Sequence, residues 1–299
     1  MYSKPKISLA RIFRKNYKEL IAVLLYTFFI FRLYDYRGIE ALDIPMSIST
    51  VLGFAVSLLL GFRTGESYDR WWEARKIWGA IVNDSRTLTR QLMGFVDQEN
   101  NMMEIQEIAY CNIAFDYALK NSLRKLDVSE EIKPFLSSED FNEVIKQQNV
   151  PNAILLIMEQ KLNRLKRSNS VTNYEFVELD KTLKRLCDHM GKCERINNTI
   201  FPVHYRYFTH VGIIVYIMML PFGMLKSTGY FMIPIVTLIF FFFTTLEGIA
   251  FRLQDPFMNR GSDTPMSTIC RTIEINVKQM LGNSDIPDKI EMTDSGAIM

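Results

Sequence analysis

Charged residues vanish over three stretches of the chain, Ile44 to Phe62, Tyr207 to Leu225 and Ser227 to Leu246, and crowd into the segments between them. A helix crossing a bilayer core of roughly 30 Å needs about 20 apolar residues. The three stretches therefore predict membrane spans, the last reaching Gly248. A shorter run, Leu20 to Leu33, predicts a further span; it is interrupted at Arg32, which can snorkel to the interface. The alternative for any one apolar run is a buried core helix, but several of this length in one chain argue for a bilayer.

Lys and Arg near the span ends set the orientation. Lys4, Lys6, Arg11, Arg14, Lys15 and Lys18 precede the first span, the following loop is nearly balanced (Arg32, Asp35, Arg37, Glu40, Asp43), and Arg63 follows the second. No small-x-small cleavage site follows the first apolar run, so it reads as a retained anchor. The expectation is a multi-pass protein of the plasma (inner) membrane with both termini cytoplasmic. Residues 1–63 hold an N-terminal cytoplasmic segment and transmembrane helices 1 and 2, and 64–206 form a cytoplasmic helical region. Residues 207–250 hold transmembrane helices 3 and 4, 251–282 a C-terminal cytoplasmic helical segment, and 283–299 a disordered tail.

The cytoplasmic region carries helical rather than strand periodicity. Apolar residues recur at helical spacing over Tyr68 to Phe95 (Trp71, Trp72, Ile77, Trp78, Ile81, Leu88, Leu92) and over Met102 to Leu123. Pro151 sits where a first helical turn tolerates it, opening a helix to about Arg167. Ser168 to Asn173 reads as a loop, Tyr174 to Asn197 as a helix and Ser267 to Leu281 as another. The predicted fold class is an all-α membrane protein of two helical hairpins separated by a large helical insert.

Composition explains little until this segregation is seen. The mean hydropathy of +0.02 blends the two populations, and 35 basic against 33 acidic residues give no electrostatic case for nucleic acid. Cys111, Cys187, Cys193 and Cys270 are too few and scattered for a disulfide framework and fit a reducing compartment. No Walker loop, dinucleotide fingerprint, zincin motif or nucleophile elbow occurs, so nothing favours an enzyme, a metal or a cofactor.

The second span is the informative one. Ser49, Gly53, Ser57 and Gly61 recur every fourth position, a stripe that lets helices approach closely where no hydrophobic effect joins them. About 100° around the helix run Thr50, Phe54, Leu58 and Phe62. That bulky row suits lipid contact or protein core, and equally a pore lining whose apolar rings gate by dewetting; periodicity does not choose between them.

Gly61-Phe62-Arg63, followed by Ser67-Tyr68-Asp69-Arg70-Trp71-Trp72-Glu73-Ala74-Arg75-Lys76-Ile77-Trp78-Gly79, resembles the region after the second span in the bestrophin family, especially its bacterial homologues. Cys193-Glu194-Arg195-Ile196 with Pro202 ahead of the third span, and Gln254-Asp255-Pro256-Phe257 after the fourth, are similar to that family too. The similarity leaves only the tail after Asn283 uncovered. It implies a homopentameric channel with one axial pore, embedded in membrane lipid and passing small monovalent ions. Its hydrophobic neck falls on Phe54, Leu58 and Phe62 and its cytosolic aperture on Tyr174. Selectivity is not visible in apolar rings; the resemblance puts chloride and other small anions first, with monovalent cations the alternative. A secondary transporter or a membrane-anchored scaffold are further alternatives, but neither inverted repeats nor broken spans are seen.

Eukaryotic bestrophins follow their Asn-Pro-Phe equivalent of Asp255-Pro256-Phe257 with an acidic, calcium-binding run. Here Met258-Asn259-Arg260-Gly261-Ser262-Asp263 offers one carboxylate, a poor site for an ion wanting six to eight oxygens, so no calcium activation is expected. Arg70, Trp71, Trp72, Glu73 and Arg75 read as structural, with an ion pair and two aromatic anchors joining span to insert; Arg70 and Glu73 lie one turn apart. Cys187, His189 and Cys193 lack a fourth ligand at zinc spacing. His204 and His210 read as interfacial histidines, and Glu247 as interfacial unless its helix continues past it.

Overall fold

The computed structural model describes residues 9–37, 44–199 and 202–290. Among these the chain is helical without strands: α1 (Leu9–Arg37), α2 (Met46–Phe95), α3 (Gln98–Arg124), α4 (Ser129–Ile132), α5 (Ser138–Val144), α6 (Val150–Arg167), α7 (Asn173–Asn198), α8 (Val203–Thr228), α9 (Met232–Leu253) and α10 (Met266–Met280), with 3-10 turns at Lys133–Phe135 and Gly229–Phe231. The fold separates into two units. One takes the described residues of Lys6–Arg70 and Ile200–Gln254, the other those of Trp71–Thr199 and Asp255–Met299.

Several boundaries differ from the sequence expectation for identifiable reasons. The second span and the helix expected from Tyr68 are one 50-residue helix, α2, since no proline interrupts it. The turn between the last two spans lies at Gly229, whose φ of +51° suits glycine, so α8 runs on past Lys226 to Thr228. α3 starts at Gln98 because the Asp97 side chain accepts from the Glu99 amide. The short helices α4 and α5, too brief to show a period, went unforeseen. The expected tail begins with non-helical residues to 290, and its remainder lies outside the described residues.

Two stretches, one in α2 and one over Val203–Leu253, are long and apolar enough to cross a membrane. Only 28% and 22% of their apolar windows are buried within the chain. A soluble protein's core helix would be mostly buried, so these surfaces need lipid or another copy to cover them. α1 occupies the fourth, shorter apolar run and packs on α8 and α9.

Within this membrane unit α8 and α9 run antiparallel. Arg206 stacks over Phe251 with 4.9 Å to the ring centre, His210 meets Glu247, and Tyr216 lies edge-on to Phe243 at 5.6 Å. α2 lies antiparallel along α8: the Tyr205 hydroxyl donates to the Leu59 carbonyl at 2.9 Å, Val56 touches Gly212, Gly53 faces the Tyr216 ring, and Met46 with Ser49 faces Gly223. A Cβ on Gly53 would stand 2.8 Å from Tyr216 Cε2, and one on Gly223 3.1 Å from the Met46 sulfur. Glycines on both helices thus make room for the partner's side chains, and Gly223 for the Met46 backbone. Leu20, Ile30, Val56, Leu60, Ile217, Val236 and Phe240 fill the core behind it.

The second unit is built around α3, buried on every side from Cys111 to Lys120 and packed by α6, α7 and α10. An all-round buried helix must satisfy its polar residues internally. Tyr117 donates to Glu274 at 2.8 Å, Lys120 pairs with Glu131, and the Asn112 amide reaches the Ser85 carbonyl at 3.4 Å. Two are less well served: the Asn112 side-chain oxygen has no hydrogen-bond partner, and for Asp116 Ser85 donates to one oxygen at 3.2 Å while the other has none. Burial pushes the Asp116 carboxyl well above the usual carboxylate range, which the Ser85 hydrogen bond only partly opposes. Caps hold the remaining helices: Asn149 accepts from Asn152 at the start of α6, and Thr172 with Glu175 forms a capping box on α7.

Gly53→Val should lower the melting stability of the detergent-solubilised protein by about 1–3 kcal/mol, an overpacking cost. Gly61→Ala, whose Cβ meets nothing within 4 Å in the chain, should leave chain folding unchanged; equal losses at both positions would contradict the packing. The unfolded chain sheds the Asp116 proton in the ordinary carboxylate range while the folded one retains it. Stability of this unit therefore falls as pH rises from about 4. Asp116→Asn should remove that part of the slope in thermal melts taken across pH.

Candidate functional site

On α2 within the membrane unit, the buried positions are Ser49, Gly53, Val56, Leu60, Arg63 and Ser67. These follow the true helical repeat of about 3.6 residues, whereas a strict every-fourth row advances about 40° per step. The row read from sequence therefore splits. Ser49 and Gly53 pack on α8, while Ser57 and Gly61 have turned off that face and are exposed. Phe54, Leu58 and Phe62 lie on the bare face with 71%, 49% and 61% of their surface exposed. Val51 and Leu59 extend the same apolar surface.

Tyr174 sits in the first turn of α7, 89% exposed, two residues after the Thr172 cap. The capping box fixes the backbone from which its ring projects. Thr172 donates to the Glu175 carboxylate from both its amide and its hydroxyl, which holds that carboxyl below its ordinary range.

The Arg-Trp-Trp-Glu block divides its work by direction. Arg70 Nε donates to the Gln254 carbonyl at 2.7 Å, tying α2 to the end of α9. Trp71 Nε1 donates to the Ser262 carbonyl at 2.8 Å and stacks on the half-exposed Trp72. Glu73 turns to Arg195 of α7, 2.6 Å away, rather than one turn back along its own helix to Arg70. Arg75 is partly buried. In the loop after α9, Phe257 is buried and the Pro256 carbonyl accepts from the Thr264 amide. The Asp263 carboxylate accepts the Arg260 amide at 3.0 Å, and burial raises its pKa despite that bond. The loop's aspartate is thus committed to its own backbone.

Sequence reasoning missed a cluster at the end of the packed face. Arg63 directly follows Phe62, so its side chain points about 100° away from the bare face. It is 1% exposed and its guanidinium meets Glu247 Oε1 at 3.2 Å, while Glu247 Oε2 meets His210 Nδ1 at 3.0 Å. α9 continues past Glu247 to Leu253, the condition under which this carboxylate belongs to the span. A charge placed there needs a partner, and Arg63 supplies it. Each residue was visible alone; their pairing depended on how α2, α8 and α9 associate. The other constellation does not converge: His189 Nε2 lies 3.0 Å from Asp84, Cys187 is exposed, and Cys193 is buried, which raises its thiol pKa. His204 is exposed at the start of α8.

These features define an all-helical membrane protein whose apolar helix α2 is packed on one face and bare on the other. Residues 7–279 match the bacterial/fungal bestrophin family, and the chain belongs to it. It is 34% identical over 257 residues to the voltage-dependent anion channel-forming protein YneE of Escherichia coli K12, covering 86% of this chain and 83% of that protein. It is 29% identical over 266 residues to the voltage-dependent anion channel-forming protein alr2987 of Nostoc, covering 88% and 86%. The crystal structure of a bestrophin homologue from Klebsiella pneumoniae superposes with a TM-score of 0.85 at 27% identity, covering 90% of this chain and all of that one.

Removing one partner of a buried ion pair leaves the other charge uncompensated. Glu247→Gln should destabilise the membrane unit by about 3–5 kcal/mol in thermal melts. Arg63→Leu combined with Glu247→Leu should recover most of that loss. A double variant as unstable as the single one would show that the pair is not what holds α2 there.

Proposed function

We propose that the protein is a passive ion channel of the bestrophin type that conducts chloride and other small monovalent anions. The pore reading rests on the two-faced helix α2. In this reading five copies surround one axis and present Phe54, Leu58 and Phe62 as stacked apolar rings, with Ser57 and Gly61 offering small surface to the neighbouring copy. Rings of this kind gate by dewetting, opening when side chains move apart enough for water to stay. Aromatic edges carry partial positive charge and favour an anion over a cation at close range. The anion assignment draws further support from the names of relatives that match more than four-fifths of the chain.

Tyr174, on the capped first turn of α7, forms the second constriction. The protein resides in the inner membrane with both termini cytoplasmic, and the bundle carrying Tyr174 lies on the cytoplasmic side. Calcium plays no part in opening, because the loop after Pro256 offers one carboxylate, already engaged by the Arg260 amide.

Reconstitution in planar bilayers under a salt gradient tests the function. Unitary currents are expected with a reversal potential near that of chloride; a value near the cation's would reverse the selectivity, and no current in any salt would overturn the channel. Leu58→Ala and Phe62→Ala should each raise the current severalfold and flatten its gating, whereas unchanged currents would remove the neck assignment. Open probability should not respond to micromolar calcium.

A further inference from the structure

Away from the bare face of α2, the membrane unit contains a cavity of about 840 Å³ between α1, α8 and α9, with Arg63 of α2 in its wall. Its volume lies within the range of about 300–1,000 Å³ typical of small-molecule sites. Its lining is graded lengthwise. Glu19 of α1, Arg206 and His210 of α8, and Glu247 of α9 line one end. Moving along each helix in the matching direction, the lining becomes Tyr26, Ile217 and Phe240. From Arg206 to Ile217 the helical rise gives about 16 Å of axial length. The Tyr26 hydroxyl is spent on the Met218 carbonyl at 2.7 Å, so the far end offers little polarity. A polar head and an apolar tail, aligned with the spans, match the shape of one lipid of a single leaflet.

The charges narrow the head group. Arg63 and Arg206 face Glu19 and Glu247, a balanced set that does not suit a ligand of strong net charge. Glu247 is engaged by Arg63 and His210. Glu19 and Arg206 have no ion-pair partner among the described residues, and Arg206 only stacks on Phe251. Buried Arg63 keeps its Nε without an acceptor, so the wall favours a negative group nearby. Guanidinium groups bind phosphate oxygens well, and a carboxylate binds a primary ammonium.

We propose that this cavity binds a zwitterionic phospholipid carrying phosphate and a primary ammonium. The phosphate lies by Arg206 and His210, the ammonium by Glu19, and one acyl chain runs along Tyr26, Ile217 and Phe240. The site rests on the membrane reading of this unit and is independent of the neck assignment.

Native mass spectrometry of the full-length protein in mild detergent tests it with added phosphatidylethanolamine or phosphatidylglycerol. One tightly held phosphatidylethanolamine per chain is expected, retained in preference to phosphatidylglycerol. Arg206→Gln and Glu19→Gln should each weaken it by about tenfold, the value of one charge-assisted hydrogen bond. Ile217→Trp, which fills the tail region, should weaken both lipids, and Arg206→Lys should restore binding. Size exclusion and thermal melts establish that each variant folds and assembles as the parent does. Equal retention of the two lipids would overturn the zwitterionic head group. Binding indifferent to Ile217→Trp and Arg206→Gln would overturn the site, and an assembled protein retaining no lipid would mean that another copy of the chain closes the cavity. Channel currents measured on the same variants separate failure of this site from failure of the conduction reading.

Discussion

The rotation of α2 in the membrane unit depends on how its side chains fit against α8. Glycines at 53 and 212 leave room for the Tyr216 ring and the Val56 side chain, and Gly223 admits the Met46 backbone beside Ser49. With one face of α2 closed in this way, its rotation about its own axis is determined. The direction taken by Phe54, Leu58 and Phe62 is then a consequence of packing they do not take part in. Arg63 completes the constraint: its side chain must reach Glu247, so a rotation of α2 that carried it to the bare face would leave two charges unpaired.

The four apolar runs, the helical insert and the helix opened by Pro151 were legible in the sequence because each is a local signal: a charge-free length, a period of 3.6 or a residue type at a terminus. The bulky row on α2 was legible for the same reason. The limits of the packing row were not. Four-residue spacing is a good approximation to the helix over one or two steps, but by the third it has turned about 120°, enough to carry Gly61 off the face that holds Ser49. The Arg63, Glu247 and His210 cluster was illegible for a different reason, since its members are far apart in sequence and nothing local distinguishes a paired charge from a solvated one. Glu73 shows the same limit. Helical spacing offered Arg70 as its partner, and tertiary packing supplied Arg195 instead.

In the bundle, the continuous burial of α3 forces polar residues into hydrogen bonds with α2, α4 and α10, and Asp116 is left with one weak donor. Such a group costs stability at neutral pH, and it is held in a helix whose Ile105, Ile108, Phe115 and Leu119 belong to the buried apolar core. The contrast with the membrane unit is one of solvent. The bundle hides its apolar surface within the chain, whereas α2, α8 and α9 leave theirs outward, which only lipid or a neighbouring copy can cover.

The placement of Arg63 also bears on how a neck without charge can work. An arginine one residue beyond Phe62 would, if it faced the axis, repeat in every copy and create a ring of strong positive charge at the mouth of the constriction. Anions would be attracted there but held, and conduction requires binding weak enough to release. In the proposed assembly, pairing the guanidinium with Glu247 would keep that field out of the pore while retaining the charge that anchors α2. The proposed rings would then carry only the partial positive edges of two phenylalanines, an attraction small enough to favour an anion without trapping it. In the proposed assembly, the same ion pair that sets the rotation of α2 keeps its pore face neutral, so packing and permeation impose one and the same requirement on residue 63.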